Sequence, residues 1–92
     1  MADEGNEYTH ISTAATTNIG LGTNRITLKC ITINTTAAGT ITVKDGTGIV
    51  AVFKASIIEG DYYFGDDGIV IGNGCTIVTG AASDLTVAWS NL

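Results

Sequence analysis

The chain has 92 residues, no proline, twelve glycines, two cysteines and a formal net charge of −5. That length suits a single domain. The four basic residues, Arg25, Lys29, Lys44 and Lys54, are scattered, so no phosphate-tracking patch for nucleic acid is expected. The longest uninterrupted apolar run, Ile49–Phe53, is far too short to span a bilayer.

Met1–Glu7 is polar and acidic, the opposite of a signal peptide, and reads as a flexible tail ahead of one domain over 8–92. Tyr8–Thr17 alternates weakly and suits either an edge strand or an arm laid on a neighbouring subunit. Asn18–Asn24 contains two glycines and reads as a turn. Arg25–Asn34 is a strong strand pattern, with Ile26, Leu28 and Cys30 pointing one way. Ile31 and Ile33 then break the alternation, which predicts a β-bulge near Cys30–Ile31 or a strand buried on both faces.

Gly39–Phe53 reads as a hairpin. Ile41 and Val43 face one side, Thr40, Thr42 and Lys44 the other, and Asp45-Gly46-Thr47-Gly48 forms the turn, with Gly48 supplying a positive φ. The return strand Ile49–Phe53 is apolar at every position, which suits a central strand or one covered on both faces by its own core and a partner. A sandwich core needs only alternate residues of it, so Val50 and Val52 are surplus and point to a covered second face. Lys54–Asp61 is a connection, and Tyr62-Tyr63-Phe64 is a short aromatic strand. Turns at Gly65–Gly68, Gly72–Gly74 and Gly80–Ser83 separate Ile69–Ile71, Cys75–Thr79 and Asp84–Ser90. In the last strand Leu85, Val87 and Trp89 share a face. The fold class expected is all-β, a single antiparallel β-sandwich or barrel of seven or eight short strands.

Isoleucine, valine and threonine dominate the composition, and all three favour pleated surfaces. Charged residues are only 14% of the chain, against roughly 25% in an average soluble domain. Threonine-rich faces with so little charge are easily desolvated against a neighbour, so an assembly is expected.

No enzyme signature emerges. His10, the one histidine, stands beside Ser12, but nothing in the sequence supplies a third group to orient it. Glu59, Asp61, Asp66 and Asp67 are oxygen ligands of the kind Ca²⁺ takes, yet they lack the spacing of a calcium loop and equally suit turns. No metal or other cofactor is therefore expected. Cys30 and Cys75 are too few for a zinc site and read as small buried side chains, a bridge between them requiring adjacent strands. Gly20-Leu21-Gly22 and Gly72-Asn73-Gly74 are not phosphate loops. Tyr62, Tyr63 and Phe64 alternate faces, so at least one ring should be exposed, as at an interface or a sugar platform. The candidate interface residues are Tyr8, His10, Tyr63, Val50 and Val52.

Two stretches carry a resemblance: Ile41-Thr42-Val43-Lys44-Asp45-Gly46-Thr47, and Asn73-Gly74-Cys75-Thr76-Ile77-Val78-Thr79-Gly80-Ala81-Ala82-Ser83-Asp84-Leu85-Thr86-Val87. In layout, over roughly Arg25 to Trp89, the chain resembles the small β-sandwich virion proteins of tailed bacteriophages, of the head decoration (cement) and head-fibre type. The resemblance carries over no site residue. It implies a jelly-roll-like sandwich on a capsid surface, often trimeric, made in the host cytoplasm and located in the virion. The partner would be the major capsid protein or another virion protein, with no nucleic acid and no membrane involved. The alternatives are a tail or fibre adhesion module, favoured by saccharide binding through Tyr62 and Tyr63, and a free carbohydrate- or calcium-binding β domain.

Overall fold

Alternating β-branched residues resolve into nine strands, with no helix, among the described residues 7–20 and 25–91 of the computed structural model. The strands are β1 (Glu7–Ile11), β2 (Thr16–Ile19), β3 (Ile26–Thr35), β4 (Ile41–Asp45), β5 (Gly48–Phe53), β6 (Gly60–Tyr63), β7 (Ile69–Ile71), β8 (Cys75–Thr79) and β9 (Asp84–Asn91). They form two antiparallel sheets, one ordered β1-β9-β3-β6 with β7 also on β3, the other β2-β8-β4-β5.

β6 and β7 pair with successive halves of β3, Cys30–Ile33 and Ile26–Leu28. They are thus one strand interrupted by a loop, and eight strands remain in the order of a jelly roll. Apart from that break and the β4–β5 hairpin, every connection crosses between the sheets.

The core lies between the sheets and follows the alternation. Ile26, Leu28, Ile31 and Ile33 of β3 meet Leu85 and Val87 of β9, and across from them lie Ile41, Val43, Cys75 and Ile77. The expected phase slip in β3 is real. Leu28 pairs with Trp89 and Cys30 with Ala88, so Lys29 is the extra residue of a bulge. The bulge keeps Leu28 and Ile31 both inward despite their odd spacing. It also turns Cys30 outward, beside Thr32, which corrects the expectation that Cys30 shares a face with Ile26 and Leu28. Trp89 packs against the core as expected, and its indole N–H donates to Thr9 Oγ1 at 3.0 Å. Phe53 of β5 stacks on Phe64 (centroids 6.4 Å apart) and tilts against Tyr62 (5.2 Å), closing one side between the sheets.

Several expectations change. Tyr8–Thr17 is neither one strand nor an arm on a neighbour. It supplies β1 to one sheet and β2 to the other, each at an edge. The corner between them is tied down by Thr79, whose buried hydroxyl donates to Thr13 O at 2.6 Å and accepts from Ala15 N at 3.0 Å. Glu7, placed in the tail by sequence, begins β1, and the rest of that tail lies outside the described residues, as do 21–24 of the expected Asn18–Asn24 turn. Asn18 and Ile19 belong to β2. In the hairpin the positive φ (61°) falls on Gly46, not Gly48. Gly46 N donates to Gly74 O at 2.8 Å and Asp45 Oδ1 accepts from Asn73 N at 2.8 Å, fastening this turn to the one before β8. Cys30 and Cys75 are free thiols in different sheets.

Candidate interaction surfaces

A sandwich has two outer faces, and strand register fixes which side chains share each. On the β2-β8-β4-β5 sheet, pairing sets Val52, Thr42, Val78 and Thr16 in one cross-strand row, and Ile49, Lys44, Thr76 and Asn18 in the next. Their strand neighbours Ile41, Val43, Cys75 and Ile77 point into the core, so these rows face outward. β5 was expected to be central or covered. It is an edge strand, hydrogen-bonded only to β4 among the described residues. Ala51 and Phe53 turn inward against the core, while Ile49, Val50 and Val52 remain 65%, 38% and 55% exposed. Val50 is the extra residue of a bulge between the Val43–Ala51 and Lys44–Ile49 pairs. That bulge disrupts the free edge as a template for further strand pairing. The apolar patch is therefore a face more than an edge, with Lys44 its one charge among the described residues of the two rows.

On the opposite sheet, register aligns Tyr8, Ala88, Cys30 and Tyr63 across four strands, and His10, Thr86, Thr32 and Asp61 beside them. Small side chains in the middle of the first row and large ones at its ends make a groove. Its walls are Tyr8 and Tyr63, 68% and 72% exposed. Its floor is Ala88 and Cys30, and Lys29, Thr32 and Asp61 complete a lining around about 240 Å³. Thr32 Oγ1 donates to Asp61 Oδ1 at 2.8 Å.

The five candidate residues thus fall into two groups. Tyr8, His10 and Tyr63 share one outer face, and Val50 and Val52 lie on the edge strand of the other sheet. Tyr62, considered for saccharide contact, turns inward onto Phe53 and donates its hydroxyl to Ile58 O.

His10 does have an orienting partner, which sequence reasoning missed. Its Nε2 meets Asp84 Oδ1 at 2.7 Å, and Asn34 Nδ2 donates to the same oxygen at 3.0 Å. The hydrogen bonds from Asn34 and then His10 hold the Asp84 carboxyl below its ordinary 3.8. No serine or cysteine bonds the imidazole among the described hydrogen bonds, and both partners are solvent-exposed. A surface pair of this kind contributes little stability. Burial, with a smaller push from the Asp45 carboxylate, raises the Cys75 thiol to about 11.

The acidic residues weighed as calcium ligands, and set aside in favour of turns, scatter. Glu59 accepts from Thr36 N, Asp61 belongs to the groove, and Asp66 and Asp67 sit in the loop between β6 and β7. No group of three His, Cys, Asp or Glu side chains converges among the described residues. Sequence reasoning also passed over the exposed Ile49, Ile58 and Val70 and the groove floor. The outward phase of Ala88 followed from its alternation with Val87 and Trp89. That of Cys30 required knowing which residue is the bulge. No protein-family model, curated protein or solved structure matches the chain.

Proposed function

We propose that this protein is a non-enzymatic structural component of a virion, a decoration or cement protein that stabilises a capsid lattice through protein–protein contacts, as a homo-oligomer with a trimer favoured. The observation that carries the reading is the exposed Ile49, Val50 and Val52 on the outer face of the β2-β8-β4-β5 sheet, amid threonines and a single lysine. Burying those three side chains completely would contribute about 2–5 kcal/mol per copy, scaling full side-chain burial by their exposed fractions. Around a closed ring or across a lattice that contribution is repeated at every copy and adds to what the opposing surface buries, against the entropic cost of association. The jelly-roll order of strands agrees with this reading by analogy, since the architecture recurs in capsid proteins. With β1 and β2 folded onto their own sheets, cementing acts through sheet faces rather than through an exchanged Tyr8–Thr17 arm. The test is cosedimentation with tailed-phage capsids stripped of decoration protein, followed by heat and chelator challenge. Retention with raised resistance is expected. A monomer with no affinity for such capsids would overturn the reading.

A further inference from the structure

The groove on the β1-β9-β3-β6 face is separate from the surface proposed for assembly, being on the other sheet. Its construction is chemical as well as geometric. Tyr8 and Tyr63 stand on the two outermost strands of a row of four, so about 14 Å separates their backbones at ordinary strand spacing. Between them the row carries only Ala88 and Cys30. Two large exposed rings therefore flank a low floor. Neither ring is needed for the core, since the inward aromatic positions are filled by Tyr62, Phe53, Phe64 and Trp89.

The polar groups are mixed in kind. Lys29 offers ammonium donors, Thr32 a hydroxyl, and Asp61 a carboxylate whose Oδ1 is engaged by Thr32. One positive and one negative side chain leave the lining electrically balanced, which disfavours an anion or cation as the ligand. Facing donors and acceptors disfavour a purely apolar one. The volume of about 240 Å³ is below the roughly 300–1,000 Å³ of sites for drug-sized molecules. A ligand with apolar faces for two rings, a hydroxyl-rich rim for Lys29, Thr32 and Asp61, no net charge and the size of one ring is a neutral sugar.

We propose that this groove is a saccharide-binding site that takes a single neutral pyranose unit, with Tyr8 and Tyr63 as stacking walls and Lys29, Thr32 and Asp61 as hydroxyl partners. It gives the protein a recognition function besides assembly, directed at a glycan-bearing surface.

The test is heteronuclear NMR on the intact protein titrated separately with the methyl glycosides of glucose, galactose, mannose and N-acetylglucosamine. At least one should shift the amides of Tyr8, Lys29, Cys30, Asp61, Tyr63 and Ala88, leaving those of β4 and β5 in place. Tyr8→Ala and Tyr63→Ala, both exposed and dispensable to the core, should each weaken that sugar about three- to tenfold, with unchanged melting temperature. The bound sugar should also slow thiol-reagent labelling of Cys30. No groove shifts with any of the four glycosides at high millimolar concentration would overturn the proposal. So would shifts that survive both tyrosine substitutions.

Discussion

The interruption between β6 and β7 rests on one glycine, and a matched pair of substitutions measures how much. Gly65 and Gly68 lie in the same loop, with φ of 74° and 85°. An alanine at either position meets the left-handed penalty of about 1–2 kcal/mol for an L-residue, offset by about 0.4–1 kcal/mol because alanine is less free in the unfolded chain. Their surroundings differ. A Cβ at Gly65 would come no closer than 3.9 Å to Gly68 O, whereas one at Gly68 would lie 2.5 Å from Leu28 O and 2.9 Å from Thr27 Cγ2. The obstacle at Gly68 is the backbone of β3 beside its bulge, which cannot rotate away, so a further 1–3 kcal/mol or so of overpacking strain is expected. Gly65→Ala should lose about 1 kcal/mol and Gly68→Ala about 2–4 kcal/mol. A chain of this length holds roughly 5–14 kcal/mol in total. At about 4–8 °C per kcal/mol, Gly68→Ala should melt some 10–30 °C below wild type. Urea unfolding followed by tryptophan fluorescence measures both variants. Equal losses would refute the claim that the close approach of the loop to β3 sets the position of the break.

Four further outcomes follow from the surroundings of Asp84, the two cysteines and Thr36. Asp84 has a depressed pKa in the folded state, so its stabilisation is present above the ordinary carboxylate value of 3.8 and is lost as pH falls below it. Between about pH 5 and pH 2.5, Asp84→Asn should lose less urea resistance than wild type, and parallel losses would contradict the hydrogen-bonded arrangement. Cys75 has a raised pKa, from 9.0 to about 11, so stability should fall as pH climbs through that window while the unfolded thiol ionises first. In native protein at neutral pH, thiol reagents should label Cys30 well ahead of the fully buried Cys75, and equal rates would contradict their placement. The Thr36 hydroxyl is buried with no hydrogen-bond partner among the described residues. Thr36→Val should therefore be neutral or stabilising by up to about 1 kcal/mol in urea titration, and a clear loss would reveal a missed partner.

The β-sandwich was legible because most of its strands alternate cleanly: Ile41/Val43, Cys75/Ile77/Thr79 and Leu85/Val87/Trp89 fall on the faces that period two assigns. Even the phase slip in β3 was visible as adjacent apolar residues. What was hidden depends on long-range pairing. A uniformly apolar β5 looked central, but strand order is decided by which sheet a crossing connection reaches, and β5 ends at an edge. The Tyr8–Thr17 segment looked weak because β1 and β2, which it enters, each bury only their last residue, Ile11 and Ile19, and its attachment comes from Thr79, more than sixty residues away. The groove was invisible for the same reason. Tyr8, Ala88, Cys30 and Tyr63 are scattered along the chain and meet only through three strand registers and a bulge.

The central claim is that further copies of this chain cover the outer face carrying Ile49, Val50 and Val52, and solution mass tests it most directly. Light scattering on wild type and on the Ile49→Lys/Val52→Lys double variant compares an apolar face with a charged one, at positions exposed enough to leave the fold intact. Self-association through this face requires a wild-type mass near three times the 9.4 kDa of one chain, and a folded, monomeric double variant. A wild-type mass of 9.4 kDa at assembly-relevant concentration, or an oligomer that survives both lysines, would contradict it.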